Sequence, residues 1–352
     1  MESASWQIAH GLAAAGEEVH VFSRQAGDTS AVSVHRVCAP TFWQPLRLAL
    51  FSSRARRAIE DSMFDVVHSF SRTRHQDIFH AGGGSHAEYM RLTYGSLGAL
   101  ARRLSPRHAL QLFMERKIFA DPHQLIQCVS PMVRDDIARG YNVPEDRLVV
   151  IPYGVDCQQF APENHRPERE GLRRQWSSGE RPVWLLAGSG WHRKGLDTAL
   201  RALAASESRS QILWVAGRDR TRPWQRLAER LGVTDRVRFL GARTDMPRLY
   251  AAADGLFLPT RYDAFGLVLL EAAASGLPVI TSGSAGAASL LASAGIVIAQ
   301  AGDIDGFASA LDQLDNPAER QKLGDRGREI ALRNSWRETT DQLRALYART
   351  QP

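Results

Sequence analysis

Residues 261–282 read RYDAFGLVLLEAAASGLPVITS, and the order of residue types in this stretch decides the fold. A short apolar run at 255–259 precedes it and predicts a buried strand that ends at Pro259. A loop with Asp263 and Gly266 follows, then an apolar helix, a Ser-Gly-Leu-Pro turn and a β-branched strand at 279–281. Strand, loop, helix, turn and strand in this order predict an α/β fold with parallel strands.

The loop and the helix after it carry residues that suit a ligand. In open α/β sheets, ligands bind at the carboxyl ends of the strands, where this loop is expected. Backbone N–H groups at the start of a helix favour anions, and Gly266 lets a phosphate approach closely. Glu271 lies more than one turn into the helix, where its carboxylate could accept two hydrogen bonds from a ribose diol. The alternative is a capped amphipathic helix of any Rossmann-like domain.

A second loop of this kind is GSGWHRKG at 188–195, between a predicted strand and a predicted helix. Gly188 and Gly190 permit a close turn, and Arg193 and Lys194 bring two cations to the loop. Cations at the start of a helix oppose its dipole, which favours a functional role over a solvated pair. Lysine is also rare in this chain, which has it only at Lys117, Lys194 and Lys322.

The composition bounds the protein class. A chain of 352 residues that is 44% hydrophobic suggests two domains with sizeable cores. The isoelectric point near 9.5 comes almost entirely from arginine. Cys38, Cys128 and Cys157 are far apart and have no metal-ligand spacing, which favours a reducing compartment. No apolar run is long enough to span a bilayer, so we expect a cytoplasmic protein.

Strands and helices alternate along the whole chain. Predicted strands lie at 19–22, 32–37, 65–68, 125–130, 148–151, 183–187, 212–216, 237–240, 255–258, 279–281 and 295–298. A further strand is expected to run into the glycine-rich turn of QDIFHAGGGSHAE at 76–88. Residues 89–120 are expected to be helical, with an interruption near Ser105, and a last helix is expected at 335–347.

These motifs together resemble the retaining glycosyltransferases of family 4, and most closely the lipopolysaccharide-core glucosyltransferase I group. Asp263 and Glu271 occupy the two acidic positions of the family's E-x7-E region, with Asp263 in place of the usual Glu. IPYGVDCQQF at 151–160 is similar to the family's interdomain crossing, with Tyr153 in place of the usual Asn. The resemblance implies a GT-B fold: two Rossmann-like domains with parallel sheets, at 1–155 and 156–334, and a C-terminal helix at 335–352 that crosses back to the first domain.

The resemblance also implies a function and a set of donor-binding residues. We expect a retaining, metal-independent hexosyltransferase that uses a nucleotide sugar, UDP-glucose or a relative, and no other cofactor. The acceptor is expected to be a lipopolysaccharide-core or lipid-linked saccharide. Arg193 and Lys194 are expected to stabilise the departing diphosphate. The full expected donor set is Gly188, Ser189, Arg193, Lys194, Gly217, Arg243, Asp263, Phe265, Gly266, Leu267 and Glu271. An ordinary βα turn remains the alternative for the loop that contains Gly217.

The general acid or base is expected in the glycine-rich turn, beside the sugar. The candidates are His86, which follows three glycines, and His80, which ends the strand. The resembling group has an Asp where this chain has Gly83, so a same-face reaction without any acid or base remains open. Glu88 is expected to cap a helix or to pair with an arginine.

Residues 89–120 hold six cations and one acid, Glu115, among leucines and phenylalanines. This pattern suits an anionic membrane surface, in line with peripheral attachment, and an amphipathic core helix with a solvated basic face is the alternative. Nothing in it supports nucleic-acid binding, since an aromatic platform and a groove-reading motif are lacking.

The chain opens in a predicted helix, whereas the resembling family has a central strand and a Gly-Gly loop before it. We therefore expect Met1 to be an internal residue of a longer reading frame, and the alternative is a true truncation that gives a damaged enzyme. Two other functions stay open: a mannosyl-, heptosyl- or galactosyltransferase with a different acceptor, and a non-catalytic protein that binds a sugar nucleotide.

Overall fold

A computed structural model describes residues 2–24, 30–40, 43–60, 62–73 and 75–350. Met1, on which the expectation of a longer reading frame rests, lies outside the described residues. The chain divides into two compact units, one made of residues 1–153 with 336–352 and one made of residues 154–335.

The first unit alternates strands and helices. Its strands are β1 (His20–Ser23), β2 (Ser33–Arg36), β3 (His68–Ser69), β4 (Ile78–Ala81), β5 (Leu125–Cys128) and β6 (Leu148–Val150). Its helices are α1 (Glu2–Ala14), α2 (Gln44–Glu60), α3 (His86–Arg102), α4 (Pro106–Ala120), α5 (Pro131–Tyr141), a 3₁₀ turn at Glu145–Arg147, and the last helix of the chain, α14 (Trp336–Tyr347).

The described residues of the first unit form two parallel sheets. Strands β1 and β2 pair with each other, and β3, β4, β5 and β6 form a four-stranded sheet in that order. Helix α14 packs closely on α1, because a side chain on Gly11 would meet the hydroxyl of Thr340. Arg344 of α14 also pairs with Glu17, which follows α1, at 2.7 Å.

The second unit contains one complete sheet. Its strands are β7 (Val183–Ala187), β8 (Ile212–Ala216), β9 (Val237–Gly241), β10 (Gly255–Leu258), β11 (Val279–Ser282) and β12 (Gly295–Ile298). Its helices are α6 (Pro162–His165), α7 (Arg169–Gln175), α8 (Leu196–Ala205), α9 (Arg222–Arg230), α10 (Met246–Ala252), α11 (Leu267–Ala274), α12 (Ile304–Gln313) and α13 (Pro317–Leu332), with 3₁₀ turns at Arg166–Glu168, Thr234–Arg236 and Gly286–Ala288.

All six strands of this sheet are parallel, in the order β12-β11-β10-β7-β8-β9. The central strands are continuous apolar runs such as VWLLA in β7 and ILWVA in β8, and every residue of these two strands is buried. Continuous apolar strands are typical of parallel sheets, because helices cover both faces. The predicted alternation of strands and helices is confirmed throughout this unit.

Two local expectations need correction in the first unit. The strand predicted at 65–68 is a two-residue strand at His68–Ser69, because the N–H of Val67 donates to the side chain of Asp77 at 2.7 Å instead of to a neighbouring strand. The helical region after the glycine-rich turn has, besides the expected break near Ser105, a kink at Gly95, whose φ is 71°.

Candidate functional site

The second unit brings two loops together at the point where the strand order reverses. The chain lays down β7, β8 and β9 side by side and then returns to place β10 on the other side of β7. The loops that follow β7 and β10 therefore leave the same edge of the sheet in opposite directions. Open α/β sheets bind ligands at this switch point.

A buried ion pair joins these loops. Lys194, in the loop after β7, donates from Nζ to Oδ2 of Asp263, in the loop after β10, at 2.6 Å. Arg193 adds a second cation, 3.5 Å from the same carboxylate oxygen, and donates to the carbonyl of Tyr262 at 2.8 Å. The side chain of Lys194 is only 7% exposed. Two cations thus share one carboxylate, which leaves the cluster with a net positive charge.

The electrostatics of Asp263 fit this arrangement. Burial disfavours the charged form, but the attraction of Lys194 and Arg193 is stronger, so the pKa of the Asp263 carboxyl lies below its usual value. Asp263 is therefore ionised at neutral pH and holds the Lys194 ammonium in place.

Gly195 allows the loop to approach β10 this closely. Its φ of 76° is left-handed, and a Cβ at this position would lie 1.9 Å from the carbonyl oxygen of Pro259. A residue with a side chain would force the loop away from the end of β10 and would separate Lys194 from Asp263.

The loop and helix after β10 hold further predicted donor residues. Gly266 is the left-handed N-cap of α11, and Leu267 is the first residue of that helix. The side chain of Phe265 is buried. Glu271, one turn further, accepts a hydrogen bond from the hydroxyl of Tyr250 at 2.8 Å. Burial raises the pKa of the Glu271 carboxyl, although the Tyr250 hydrogen bond partly opposes the change.

The loop after β8 supports the loop after β7. A Cβ on Gly217 would lie 2.5 Å from the carbonyl oxygen of Gly188, so the two loops are in direct contact. The hydroxyl of Ser189 accepts from the N–H of Arg218 at 3.1 Å. Asp219 accepts from the backbone N–H groups of residues 190 and 191 at 2.8 and 3.0 Å. Asp219 lies two residues after Gly217, and its two bonds to the loop after β7 are visible only in the structure.

Arg243, in the loop after β9, makes a two-point ion pair with Asp245 at 2.8 and 2.6 Å. The hydrogen bonds from Arg243 outweigh burial and lower the pKa of Asp245. The two partners are two positions apart in sequence, so their ion pair stiffens this loop. A role of Arg243 in donor binding stays a prediction.

In the first unit, His80 is held by two hydrogen bonds. Its Nδ1 lies 2.6 Å from Oε1 of Gln127 and its Nε2 lies 2.6 Å from the hydroxyl of Tyr153. Since an amide oxygen only accepts, Nδ1 donates and Nε2 accepts from Tyr153. Burial lowers the pKa of His80 to about 4. The ring is therefore neutral at physiological pH and both of its nitrogens are occupied.

His86, the first residue of α3, sits at a buried polar cluster. Its Nε2 lies 2.9 Å from Nδ1 of His108, and its backbone N–H donates to the Glu115 carboxylate at 2.9 and 3.1 Å. Burial and the nearby charges of Arg72, His108 and Arg107 lower the pKa of His86 to about 3. His86 is thus a neutral imidazole at neutral pH.

Glu115 is the centre of this cluster, whereas the sequence analysis noted it only as the one acid of 89–120. Its side chain is fully buried and accepts from Arg72 at 2.5 Å and from the hydroxyl of Tyr141 at 2.7 Å. The available signal was a single acid among six cations at 89–120. Glu88, by contrast, pairs with Arg91 at 2.8 Å, as expected.

The first unit also contains a cleft of about 1510 Å³. His80, His86, His108, Gly83 and Gly84 line one part of it. The cleft therefore brings both candidate histidines and the glycine-rich turn to the wall of one space.

The surface around α3 and α4 exposes large apolar side chains beside its cations. Leu97 and Leu104 are 85% and 88% exposed, and Leu100 and Phe113 are at least half exposed. Among the described residues, no helix combines the length and the apolar character needed to cross a bilayer. The described part of the chain also contains no cluster of His, Cys, Asp and Glu arranged to hold a metal ion.

Comparison with known protein families covers both units. Residues 1–159 match the family described as Glycosyltransferase Family 4, and residues 181–316 match the family described as Glycosyl transferases group 1.

Individual relatives agree with these matches. The chain is 31% identical over 304 residues to the lipopolysaccharide glucosyltransferase WaaG of Escherichia coli K12. The aligned region covers 84% of this chain and 80% of that protein. It is 30% identical over 266 residues to a D-inositol 3-phosphate glycosyltransferase of Saccharomonospora viridis. That alignment covers 71% of this chain and 61% of the relative. A crystal structure of WaaG matches with a TM-score of 0.84 at 26% identity, over 98% of this chain and 95% of the other.

Proposed function

The chain belongs to the family 4 glycosyltransferases, and from this premise we propose that it transfers glucose from UDP-glucose to a lipopolysaccharide-core or lipid-linked saccharide. The family and the GT-B fold expected from the sequence are confirmed. The name of the WaaG relative supports both the sugar and the acceptor class of this proposal.

The observation that carries the proposal is the cluster of Lys194, Arg193 and Asp263 at the switch point of the second unit. Departure of a nucleoside diphosphate from a sugar develops negative charge, and fixed cations stabilise that charge without reorganisation. The Lys194 ammonium has three N–H donors. It can keep its bond to Asp263 and donate to a phosphate oxygen. We therefore assign the leaving-group role to Lys194 and Arg193, with no metal ion required.

Glu271 is the proposed partner of the donor ribose. Its carboxylate already accepts from Tyr250 through one oxygen, Oε2, which fixes its orientation. The remaining lone pairs suit two hydroxyl donors. Gly266 at the start of α11 offers backbone N–H groups to an anion, which supports a phosphate position next to it.

For the reaction at the sugar, we propose retention of the donor's anomeric configuration, with His86 at the acceptor. The neutral state of His86 at physiological pH supports a role as hydrogen-bond acceptor. The two bonds of His80 to Gln127 and Tyr153 favour a structural role for that residue. The exposed leucines and cations of α3 and α4 support attachment to an anionic membrane surface from the cytoplasmic side.

A transfer assay with a panel of UDP-, GDP- and ADP-linked sugars tests the proposal. We expect UDP-glucose to be consumed and an α-linked product to form, as read by NMR of the anomeric proton. Lys194→Ala should lower turnover by about 100- to 1000-fold, because it removes charge from the developing oxyanion.

Lys322→Ala is the matched control, since Lys322 is an exposed lysine that pairs only weakly with Glu319. Turnover of folded Lys194→Ala equal to that of Lys322→Ala would exclude the leaving-group role. Preference for GDP- or ADP-sugars would exclude the UDP-glucose assignment. Transfer to inositol phosphate and not to a lipid-linked saccharide would contradict the proposed acceptor and favour the one named for the Saccharomonospora relative.

A further inference from the structure

Two histidine rings and two arginines lie together on one wall of the cleft in the first unit. His86, His108, Arg72 and Arg107 all line this cleft. The two histidines are 7% and 9% exposed, and their rings stack with centroids 5.1 Å apart. The proposed function gives a role to His86 alone, so the polar groups around it have none assigned.

The histidine pair keeps one hydrogen-bond donor for a ligand. Nε2 of His86 lies 2.9 Å from Nδ1 of His108, so one of these nitrogens donates and the other accepts. A neutral imidazole carries a single N–H. If His86 donates, the N–H of His108 is on its outer nitrogen, Nε2; if His108 donates, the N–H of His86 is on its outer nitrogen, Nδ1. Either tautomer leaves one outer N–H, and neither ring has another hydrogen bond within the described part of the chain.

The two arginines add charged donors to the same wall. Arg72 binds the Glu115 carboxylate through Nε and Nη2, which leaves its other terminal nitrogen, Nη1, for a ligand. Arg107 is exposed and forms no ion pair with a carboxylate of the described residues. Glu115 is fully buried and does not line the cleft. The wall therefore presents cations and N–H groups, whereas the acid that neutralises Arg72 is covered.

The charges around the two rings are positive. Burial is the largest cause of the lowered pKa of both histidines, and nearby cations lower the pKa further. Arg72 and Arg107 act on His86 in this way, and Arg107 and Arg102 act on His108. Both rings are held neutral by this repulsion, which a bound anion would relieve.

We propose that this wall is an anion subsite, which binds a carboxylate or phosphate group carried by the acceptor saccharide. The inference rests on the proposed function, since it names the class of acceptor. Arg107 donates to the anionic group, and Nη1 of Arg72 and the outer N–H of the histidine pair donate beside it. Hydrogen bonds from an arginine to an anion are about twice as strong as bonds between neutral groups, so the arginines dominate the binding.

The shape of the site favours a sugar over a membrane surface. His86 and His108 are more than nine-tenths buried, so a flat bilayer cannot reach them, whereas a single anionic group can enter the cleft. Tyr89 also lines the cleft, and its ring stacks on His86 with centroids 5.5 Å apart. A tyrosine has an apolar body and a polar tip, which suits the C–H faces and hydroxyls of a sugar.

Titration of the full chain with glucose 6-phosphate, glucuronate and glucose tests this inference. NMR signals of the His86 and His108 rings, assigned with His86→Gln and His108→Gln, report binding at this wall. Both anionic sugars should shift these signals and bind about tenfold or more tightly than glucose, because they form charged hydrogen bonds. The tighter of the two identifies the group as a phosphate or a carboxylate.

Substitutions of Arg107 provide a second measurement. Arg107→Gln should weaken binding of the anionic sugars about tenfold or more and leave binding of glucose unchanged. Arg107→Lys keeps the charge and should retain most of the affinity. Arg116→Gln is the matched control, because Arg116 is an exposed arginine of the same helix that does not line the cleft.

Three results would overturn the inference. The first is equal binding of glucose and the anionic sugars, and the second is an equal effect of Arg107→Gln and Arg116→Gln. The third is loss of anion binding in Lys194→Ala and not in Arg107→Gln, which would place the anion at the donor loops. Hydrolysis of UDP-glucose, measured in parallel, reports separately on the proposed function.

Discussion

Single side chains of opposite charge anchor the two candidate sites. Lys194 in the second unit and Glu115 in the first are both buried, and each has a partner of opposite charge within 2.6 Å. A buried ion with its partner removed is strongly destabilising, because its desolvation is no longer compensated. The two residues differ in how many hydrogen-bonding groups remain available. Glu115 is saturated by Arg72, Tyr141 and the backbone of His86, whereas Lys194 keeps donors for a ligand.

Glu115→Gln should therefore act on stability. The substitution leaves Arg72 without its ionic partner, and we expect the free energy of unfolding to fall by about 3 kcal/mol. The matched control is Glu88→Gln, which breaks the more exposed pair with Arg91 and should cost about 0–1 kcal/mol. Urea denaturation of the wild type and the two variants measures both changes in the free energy of unfolding. A loss for Glu115→Gln no larger than for Glu88→Gln would show that the buried cluster does not stabilise the unit.

The buried histidines predict acid sensitivity. The pKa of His80 is about 4 in the folded protein, against 6.5 for a free imidazole. The unfolded chain therefore binds more protons between these values, and stability falls as pH decreases from about 6.5 to about 4. For one histidine, the free energy of unfolding changes by at most about 1.4 kcal/mol per pH unit.

We expect His80→Gln to flatten this pH dependence of the melting temperature, because glutamine does not titrate. His10→Gln serves as a control, since His10 lies on α1, away from the bonds to Gln127 and Tyr153. A His80→Gln profile parallel to that of the wild type between pH 6.5 and 4 would assign the acid sensitivity to other groups.

At the scale of helices, α3 and α4 show how capping and packing shape the unit. Ser85 caps α3 by accepting from the N–H of Glu88 at 3.3 Å, and Pro106 starts α4. Glu115 of α4 holds the first turn of α3 through the backbone of His86. The outer surface around the same two helices remains apolar and basic, with Leu97 of α3 and Leu104 of the connection between them almost fully exposed.

That surface predicts membrane binding. Each cation near an anionic bilayer contributes about 1 kcal/mol, and inserted leucines add apolar burial. The double variant Leu97→Gln/Leu104→Gln should bind phosphatidylglycerol vesicles about tenfold more weakly than the wild type. Binding of the wild type should weaken as salt rises.

Leu332→Gln is the matched control, because Leu332 is also an exposed leucine but belongs to α13 of the second unit. Co-sedimentation measures all three proteins. Equal binding of the wild type to neutral and anionic vesicles, or an equal loss in the control, would refute the membrane surface.

At the scale of the whole molecule, the two units differ in the size of their sheets. The second has one six-stranded sheet with buried central strands, and the described part of the first has a four-stranded and a two-stranded sheet. The proposed donor site uses loops of the second unit. We therefore expect a bound nucleotide to protect these loops and to leave the strands of the first unit unchanged.

UDP should slow hydrogen exchange in the loops at 188–195 and 259–266. A concentration of 100 times the dissociation constant stabilises the nucleotide-binding unit by about 2.7 kcal/mol. Strands β4 and β5 of the first unit serve as the internal control and should not change. Protection of β4 and β5 without protection of these two loops would show that the nucleotide binds the first unit, which would contradict the proposed function.

The sequence by itself determined the family, the α/β fold and the loops that hold the candidate donor residues. These follow from local patterns: apolar strands, glycines after them, and acids and cations at fixed spacing along one segment. The strands of the second unit were predicted to within a residue for the same reason, since a strand with apolar residues on both faces is recognisable without knowledge of its neighbours.

Only the tertiary structure decided which charges meet. Lys194 and Asp263 are 69 residues apart, and they pair because β10 lies next to β7 in the sheet. Glu115 and Arg72 are 43 residues apart, and no spacing rule links a residue on α4 to one after β3. The cleft of the first unit is likewise lined by residues that are distant from one another in the chain. Pairings across a sheet depend on how distant segments are placed side by side, and that placement is set by the packing of the whole unit.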